Sequence, residues 1–232
     1  MRVDVSIILI FVSLLVGYIC GSIPFGILVG KIFFKKDPRD YGSGNLGATN
    51  VGRTFGKKFG FLTSFLDICK TFVPMWILLG IYRLINGHFN NELLFMDPTH
   101  YAYITGFGAV LGHSFPIFLK FKGGKSVSCF FALIGATNFI CINICAPLFF
   151  LLLKITKKVS LSSIICAATA WIVAFIPMLW KNHFWTGQMW GMIYDPWLSL
   201  FFGIVGIIVI IRHKDNIKRL IDGTERTIKW MK

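Results

Sequence analysis

Acidic side chains are scarce in this chain. Only 10 Asp and Glu stand against 24 Lys and Arg, and charged residues of both signs make up 15% of the 232 residues. A chain so poor in charge, 55% hydrophobic and of mean hydropathy +0.69, falls outside the range of soluble domains and inside that of polytopic membrane proteins. Few carboxylates and five scattered histidines leave no convincing metal-ligand cluster. No histidine has an aspartate five residues later, so the H-x-x-x-x-D base–carboxylate arrangement of many lipid acyltransferases is missing. A G-x-S-x-G nucleophile elbow is also absent. The six cysteines lie mostly inside apolar stretches and form no disulfide framework. Cys141 and Cys145, four apart on one helix face, read as packing residues rather than a metal pair.

The net charge of +14 does not point to nucleic acid, because the cations cluster in short connections between apolar runs. Those runs are 4–34, 59–85, 100–120, 126–153, 161–180 and 196–211. The first is too long for a signal-peptide core and is expected to stay in the membrane. Lys and Arg concentrate around 31–58, 120–125, 154–158 and 212–232, which places these segments on the cytoplasmic side and leaves 86–99 and 181–195 outside. A single crossing by 126–153 would break that pattern. The tract Gly135-Ala136-Thr137-Asn138 near its middle, followed by Pro147, suggests two short or broken passages instead. The fold expected is one all-α domain over 1–232, a transmembrane helical bundle of about seven passages. Its N-terminus would be outside, its C-terminus inside, and its glycine-rich loops would bind phosphate in the cytoplasm.

Three polar islands fall on the cytoplasmic side. The first runs Gly42-Ser43-Gly44-Asn45-Leu46-Gly47-Ala48-Thr49-Asn50, then Arg53. Its glycines allow backbone N–H groups to converge on an anion, its Ser, Asn and Thr add short donors, and Arg53 can grip two phosphate oxygens. The second is Gly112-His113-Ser114-Phe115-Pro116, then Lys120-Phe121-Lys122-Gly123-Gly124-Lys125-Ser126. It ends like a P-loop but has Leu119 where the first glycine is required, which argues against nucleotide hydrolysis. A Gly-Gly-Lys turn before a helix still suits a smaller phosphate. The third island runs from His213 to Glu225, with His213 and Asn216 on one helix face. Asp67 and Lys70, three apart inside an apolar run, read as a structural ion pair.

Taken in order, GSGNLGATN…R, GHSFPIFLKFKGGKS and HKDNIKRLIDGTE resemble the three cytoplasmic motifs of the bacterial acyl-phosphate–glycerol-3-phosphate acyltransferases. The resemblance covers nearly the whole chain. It implies a cell-membrane enzyme of phospholipid biosynthesis, in bacteria an inner-membrane protein with its active site facing the cytoplasm. Such an enzyme moves a fatty acyl group from acyl phosphate to the 1-position of sn-glycerol 3-phosphate, giving lysophosphatidic acid and inorganic phosphate. No cofactor is implied, and no protein partner beyond the two substrates and membrane lipids.

By position, Ser43, Arg53, Lys125, His213 and Asn216 would be the catalytic set. Gly42, Gly44, Asn45, Gly47, Thr49, Asn50, His113, Gly123, Gly124 and Ser126 would bind phosphate, and Glu225 would be structural. Leu46 stands where proline is usual and Ser126 where glycine is usual. The base that takes the glycerol hydroxyl proton stays open between His213 and a substrate phosphate oxygen. An organic-phosphate transporter is the alternative class, although its site would be expected near the midplane between repeated halves.

Overall fold

A computed structural model describes residues 2–89, 93–94, 96–175 and 196–228. The expected outward segment 181–195 lies outside the described residues, and 86–99 lies partly outside them.

The described residues form ten α-helices and no strand. The first apolar run is not one helix. Proline at 24 cannot continue a helical ladder, so α1 (Arg2–Ser22) gives way to α2 (Phe25–Phe34). α3 (Ala48–Phe55) is short, and α4 (Lys57–His88) is the longest element. At 32 residues α4 would reach ~48 Å, longer than the hydrocarbon thickness of a bilayer. α5 covers Pro98–Ser114 and ends before the apolar run 100–120 does, because Pro116 stops the helix and a 3-10 turn (Ile117–Leu119) follows.

α6 (Val127–Thr137) and α7 (Phe139–Thr156) meet at Asn138, inside the tract expected to break this run. Asn138 leaves the helical region and its side chain accepts from Cys141 N–H at 2.8 Å, which caps α7. α8 (Val159–Ala174), α9 (Pro196–Arg212) and α10 (Lys214–Ile221) complete the order. Among the described residues three segments are long and apolar enough to cross a membrane, 5–34, 57–88 and 98–119, and four shorter apolar helices accompany them.

Small residues set the closest packing. A Cβ at Gly17 or Gly21 would lie about 2 Å from a backbone oxygen of α5, and one at Gly108 or Gly112 would press equally on α1. The two backbones therefore cross in direct contact, the small-xxx-small arrangement that apolar surroundings favour. This crossing fixes the C-terminal end of α5, and with it His113. The main core lies behind α6, where Met75, Phe130, Leu133 and Phe202 are buried with the small side chains of α8. Cys141, Cys145 and Cys166 are part of that core, with 3.9 Å between the first two sulfurs, consistent with packing.

Candidate active site

The first island folds around one side chain. Asn50, 2% exposed, donates through Nδ2 to the carbonyls of Pro38 (2.7 Å), Asn45 (2.7 Å) and Tyr41 (3.2 Å). Its Oδ1 accepts from Ser43 N–H at 2.7 Å. The loop must therefore turn sharply around the amide. Gly42 and Gly44 take φ of +60° and +72°, and a Cβ at Gly42 would sit 2.4 Å from Asn50 Oδ1. α3 starts from Gly47 and carries Thr49 and Arg53 to the edge of a cavity that Ser43 and Asn45 also line. Arg53 is half-buried. Its Nη2 donates to Arg226 O at 3.3 Å, while Nε is buried without a hydrogen-bond partner among the described residues. Burial, and then the neighbouring Arg226, lowers the pKa of this guanidinium. A half-buried cation with an unpaired donor beside a second cation is suited to an anion.

The second island leans on α5. Gly124 N–H donates to His113 O at 2.9 Å, and a Cβ at Gly124 would lie 2.1 Å from His113 Nε2, so only glycine lets the turn sit on the imidazole. His113 is held in turn by Lys70, whose Nζ is 2.9 Å from Nδ1. Lys70 also donates to Ile23 O at 2.9 Å, satisfying a carbonyl freed by the helix break at Pro24. Asp67 completes the buried group 2.7 Å from Lys70, in contact ion-pair geometry rather than an aligned hydrogen bond. Ser126 takes φ +58°, and its hydroxyl bonds Val110 O (2.9 Å) and Ser114 Oγ (2.6 Å).

The third island connects to the second through a chain of polar contacts. Lys125 Nζ donates to Asn216 Oδ1, and Asn216 Nδ2 donates to Glu225 Oε1 at 2.7 Å. Ser160 Oγ (2.7 Å) and Arg219 Nε (2.9 Å) also donate to Glu225. Burial alone would raise the pKa of Glu225, but these three hydrogen bonds carry it below the usual carboxylate value. Burial lowers Lys125 to about 8, against the pull of Glu225. His213, 2% exposed, lies 2.7 Å from Val209 O through Nδ1. A carbonyl can only accept, so Nδ1 carries the proton and Nε2 keeps the lone pair. Burial brings this histidine down to about 4, which leaves it neutral near pH 7.

Two chambers share these residues. The larger, about 680 Å³, has a polar rim that includes Ser43, Arg53, Lys125 and His213, above apolar walls formed by Phe72, Phe131, Ile142 and Phe149. The smaller, about 230 Å³, is polar and is flanked by Arg212, Lys214 and Asp215. Ser43, Asn45, Lys125, Asn216, Arg219 and Arg226 line both and form the partition.

A family model described as glycerol-3-phosphate acyltransferase matches residues 11–223. The chain belongs to the glycerol-3-phosphate acyltransferase family. A relative of that name from Staphylococcus aureus strain Newman is 40% identical over 227 residues, covering 96% of this chain and all of the relative. The strain USA300 protein matches to the same extent. Among solved structures, PlsY (YgiH), an integral membrane glycerol 3-phosphate acyltransferase, superposes in its glycerol 3-phosphate form with TM-score 0.75. Identity is 30%, over 94% of this chain and 95% of that one. Its lysophosphatidic acid form gives 0.73. The chain is accordingly a membrane-embedded enzyme of the acyltransferase class. A transporter finds no support among these relatives.

Within this glycerol-3-phosphate acyltransferase the three islands lie together, and several of the expected residues make further contacts within the protein. Asn50 was expected to offer donors to phosphate, but its amide hydrogens go to loop carbonyls, so it shapes the nest instead. Gly124 was expected to present its N–H, which His113 O takes. His113 lies beneath the turn as a support. Ser126 lines the larger chamber, and its hydroxyl bonds Ser114 Oγ and Val110 O. Leu46 is buried, and its carbonyl packs against Gly26.

Asp67 and Lys70 do pair, as expected. Ser43, Asn45, Gly47, Thr49, Asn50, Arg53, Lys125, His213 and Asn216 all line the larger chamber, as do His113, Gly124 and Ser126. Sequence reasoning did not single out Ser160, Arg212, Arg219 and Arg226. A lone serine at the start of an apolar helix carries no signal, and cations beside a membrane look alike in sequence.

Proposed function

We propose that the chain transfers a fatty acyl group from acyl phosphate to the 1-position of sn-glycerol 3-phosphate. The products would be 1-acyl-sn-glycerol 3-phosphate and inorganic phosphate, and the reaction would be the first acylation of phospholipid synthesis. The observation that carries this reading is the cationic partition between an apolar-walled chamber and a polar one. One substrate has a chain that belongs in lipid and a phosphate that does not; the other is wholly polar. Acyl phosphate fits the large chamber with its phosphate at Ser43 and Arg53, and glycerol 3-phosphate fits the small one beside Lys125. The reading is also supported by the name of the family and by the ligand forms of the solved relative.

In the reaction, the glycerol hydroxyl oxygen attacks the acyl carbonyl carbon. The tetrahedral intermediate collapses by breaking the bond from carbon to the phosphate oxygen, and the electron pair leaves with phosphate. Arg53 and Lys125 stabilise charge on the carbonyl oxygen and the departing phosphate. His213, with a pKa of about 4, is too weak a base to take the proton outright near neutrality. It instead orients the hydroxyl through Nε2, and the proton passes to a phosphate oxygen. The cations supply the charge stabilisation, so neither metal nor nucleotide is required.

We further infer about seven passages, with the N-terminus outside, in the bacterial inner membrane and with the site facing the cytoplasm. The meeting of Lys125, before α6, with the third island, and of Lys157, after α7, with Ile228 supports two passages for 126–153. The purified protein, given palmitoyl phosphate and glycerol 3-phosphate in excess EDTA, is expected to release phosphate and form the monoacyl product. Phosphate release without acyl-glycerol phosphate, or a strict requirement for acyl-CoA, would refute the reading.

A further inference from the structure

Arg212 closes α9 and in the sequence is one more cation at a membrane edge. Its side chain makes a more specific contact. Nε donates to Gly124 O at 2.9 Å and Nη2 to Gly123 O at 2.6 Å, so one edge of a guanidinium holds two consecutive peptide oxygens. The group lies over Phe115, 5.4 Å from the ring centroid, which steadies it above the turn. The turn is also pressed against the end of α5. A Cβ at Gly123 would lie 2.2 Å from His113 O.

A glycine pair can present either its amides or its carbonyls, and carbonyl oxygens repel a phosphate. With Arg212 in place both oxygens face the guanidinium. Trans peptide geometry then turns Lys125 N–H away from Arg212. Arg212 lines the smaller chamber only, next to Lys125.

We propose that Arg212 is a positioning residue for glycerol 3-phosphate. By holding the Gly123 and Gly124 carbonyls it keeps two repelling oxygens out of the phosphate pocket and sets Lys125 in place. The inference rests on the acyl-transfer reading above. Arg212→Ala and Arg212→Lys, made in the full chain, test it through steady-state kinetics and hydrogen–deuterium exchange of 120–126. Arg212→Ala is expected to raise the KM for glycerol 3-phosphate at least about tenfold and to leave that for palmitoyl phosphate within about twofold. Exchange should quicken in 120–126 and stay unchanged in α1 and α5. Arg212→Lys keeps the charge but not the two-pronged contact, so it should behave more like Ala than like wild type.

An unchanged KM with unchanged exchange overturns the proposal. A rise in exchange spread over α1, α5 and α9 overturns it as well, because Arg212 would then be stabilising the bundle in general. If the wild type lacks acyl transfer while exchange at 120–126 still depends on Arg212, the activity reading fails and the clamp stands.

Discussion

The two glycine-rich loops of the site are built in opposite ways. The first, 38–53, is organised from within by Asn50, a residue of the loop's own helix that bonds four of its peptide groups. The second, 120–126, is organised from outside: α5 beneath it, Arg212 88 positions further on, and Asn216 holding its lysine. Similar composition thus hides different mechanics. The first loop draws most of its support from its own residues, with one distant contact from Arg226, whose Nη1 donates to Gly42 O. The second is held by contacts from three separate parts of the bundle, α5, Arg212 and Asn216.

The largest test strikes at the outside support. Lys70→Met removes the ammonium 2.7 Å from buried Asp67 and leaves only His113 near the carboxylate, which should cost about 3–5 kcal/mol of stability. Thermal unfolding in detergent should show it, and adding Asp67→Asn should recover much of the loss. Recovery would mark the pair as structural; no loss in the single variant would deny the second loop its foundation. Asn50→Ala strikes at the inside support and should lower acyl transfer by about a hundredfold, ~2.7 kcal/mol of transition-state stabilisation. Hydrogen exchange at 120–126 should not change in that variant. If both loops loosen together, they are not independently built.

A smaller effect is expected from pH. Burial, with Arg219 and Arg53 nearby, lowers Lys125 to about 8 despite Glu225. Its ammonium is therefore present below pH 8 and lost above it. The KM for glycerol 3-phosphate should climb as pH rises through that value, by up to about tenfold per unit, and Lys125→Arg should flatten the climb. A KM that is flat to pH 9.5 in the wild type would remove Lys125 from that pocket.

The same contrast explains what could be read from the sequence. Local devices were legible. The polar tract ending in Asn138 marked the break between α6 and α7, and the three-residue spacing of Asp67 and Lys70 marked a pair. The first island was recognisable because glycines and short polar residues accompany each other there. The attachment of His113 to Lys70, of Ser160 to Glu225 and of Arg212 to the glycine turn joins residues 43, 65 and 88 positions apart, and such contacts leave no local pattern. Two signals were present but unused. Pro116 announces the end of α5 at Ser114. Gly17 with Gly21 and Gly108 with Gly112 have the spacing of a close helix crossing.

The proposed division assigns acyl phosphate to the first loop and glycerol 3-phosphate to the second. The most direct measurement is the pair of Michaelis constants in Lys125→Ala beside the kcat of Arg53→Lys. Lys125→Ala should raise the KM for glycerol 3-phosphate far more than that for palmitoyl phosphate, whereas Arg53→Lys should lower kcat at least about tenfold because a lysine cannot make the planar two-pronged contact. A rise confined to the palmitoyl phosphate KM in Lys125→Ala, with Arg53→Lys silent, would contradict the division of the two loops.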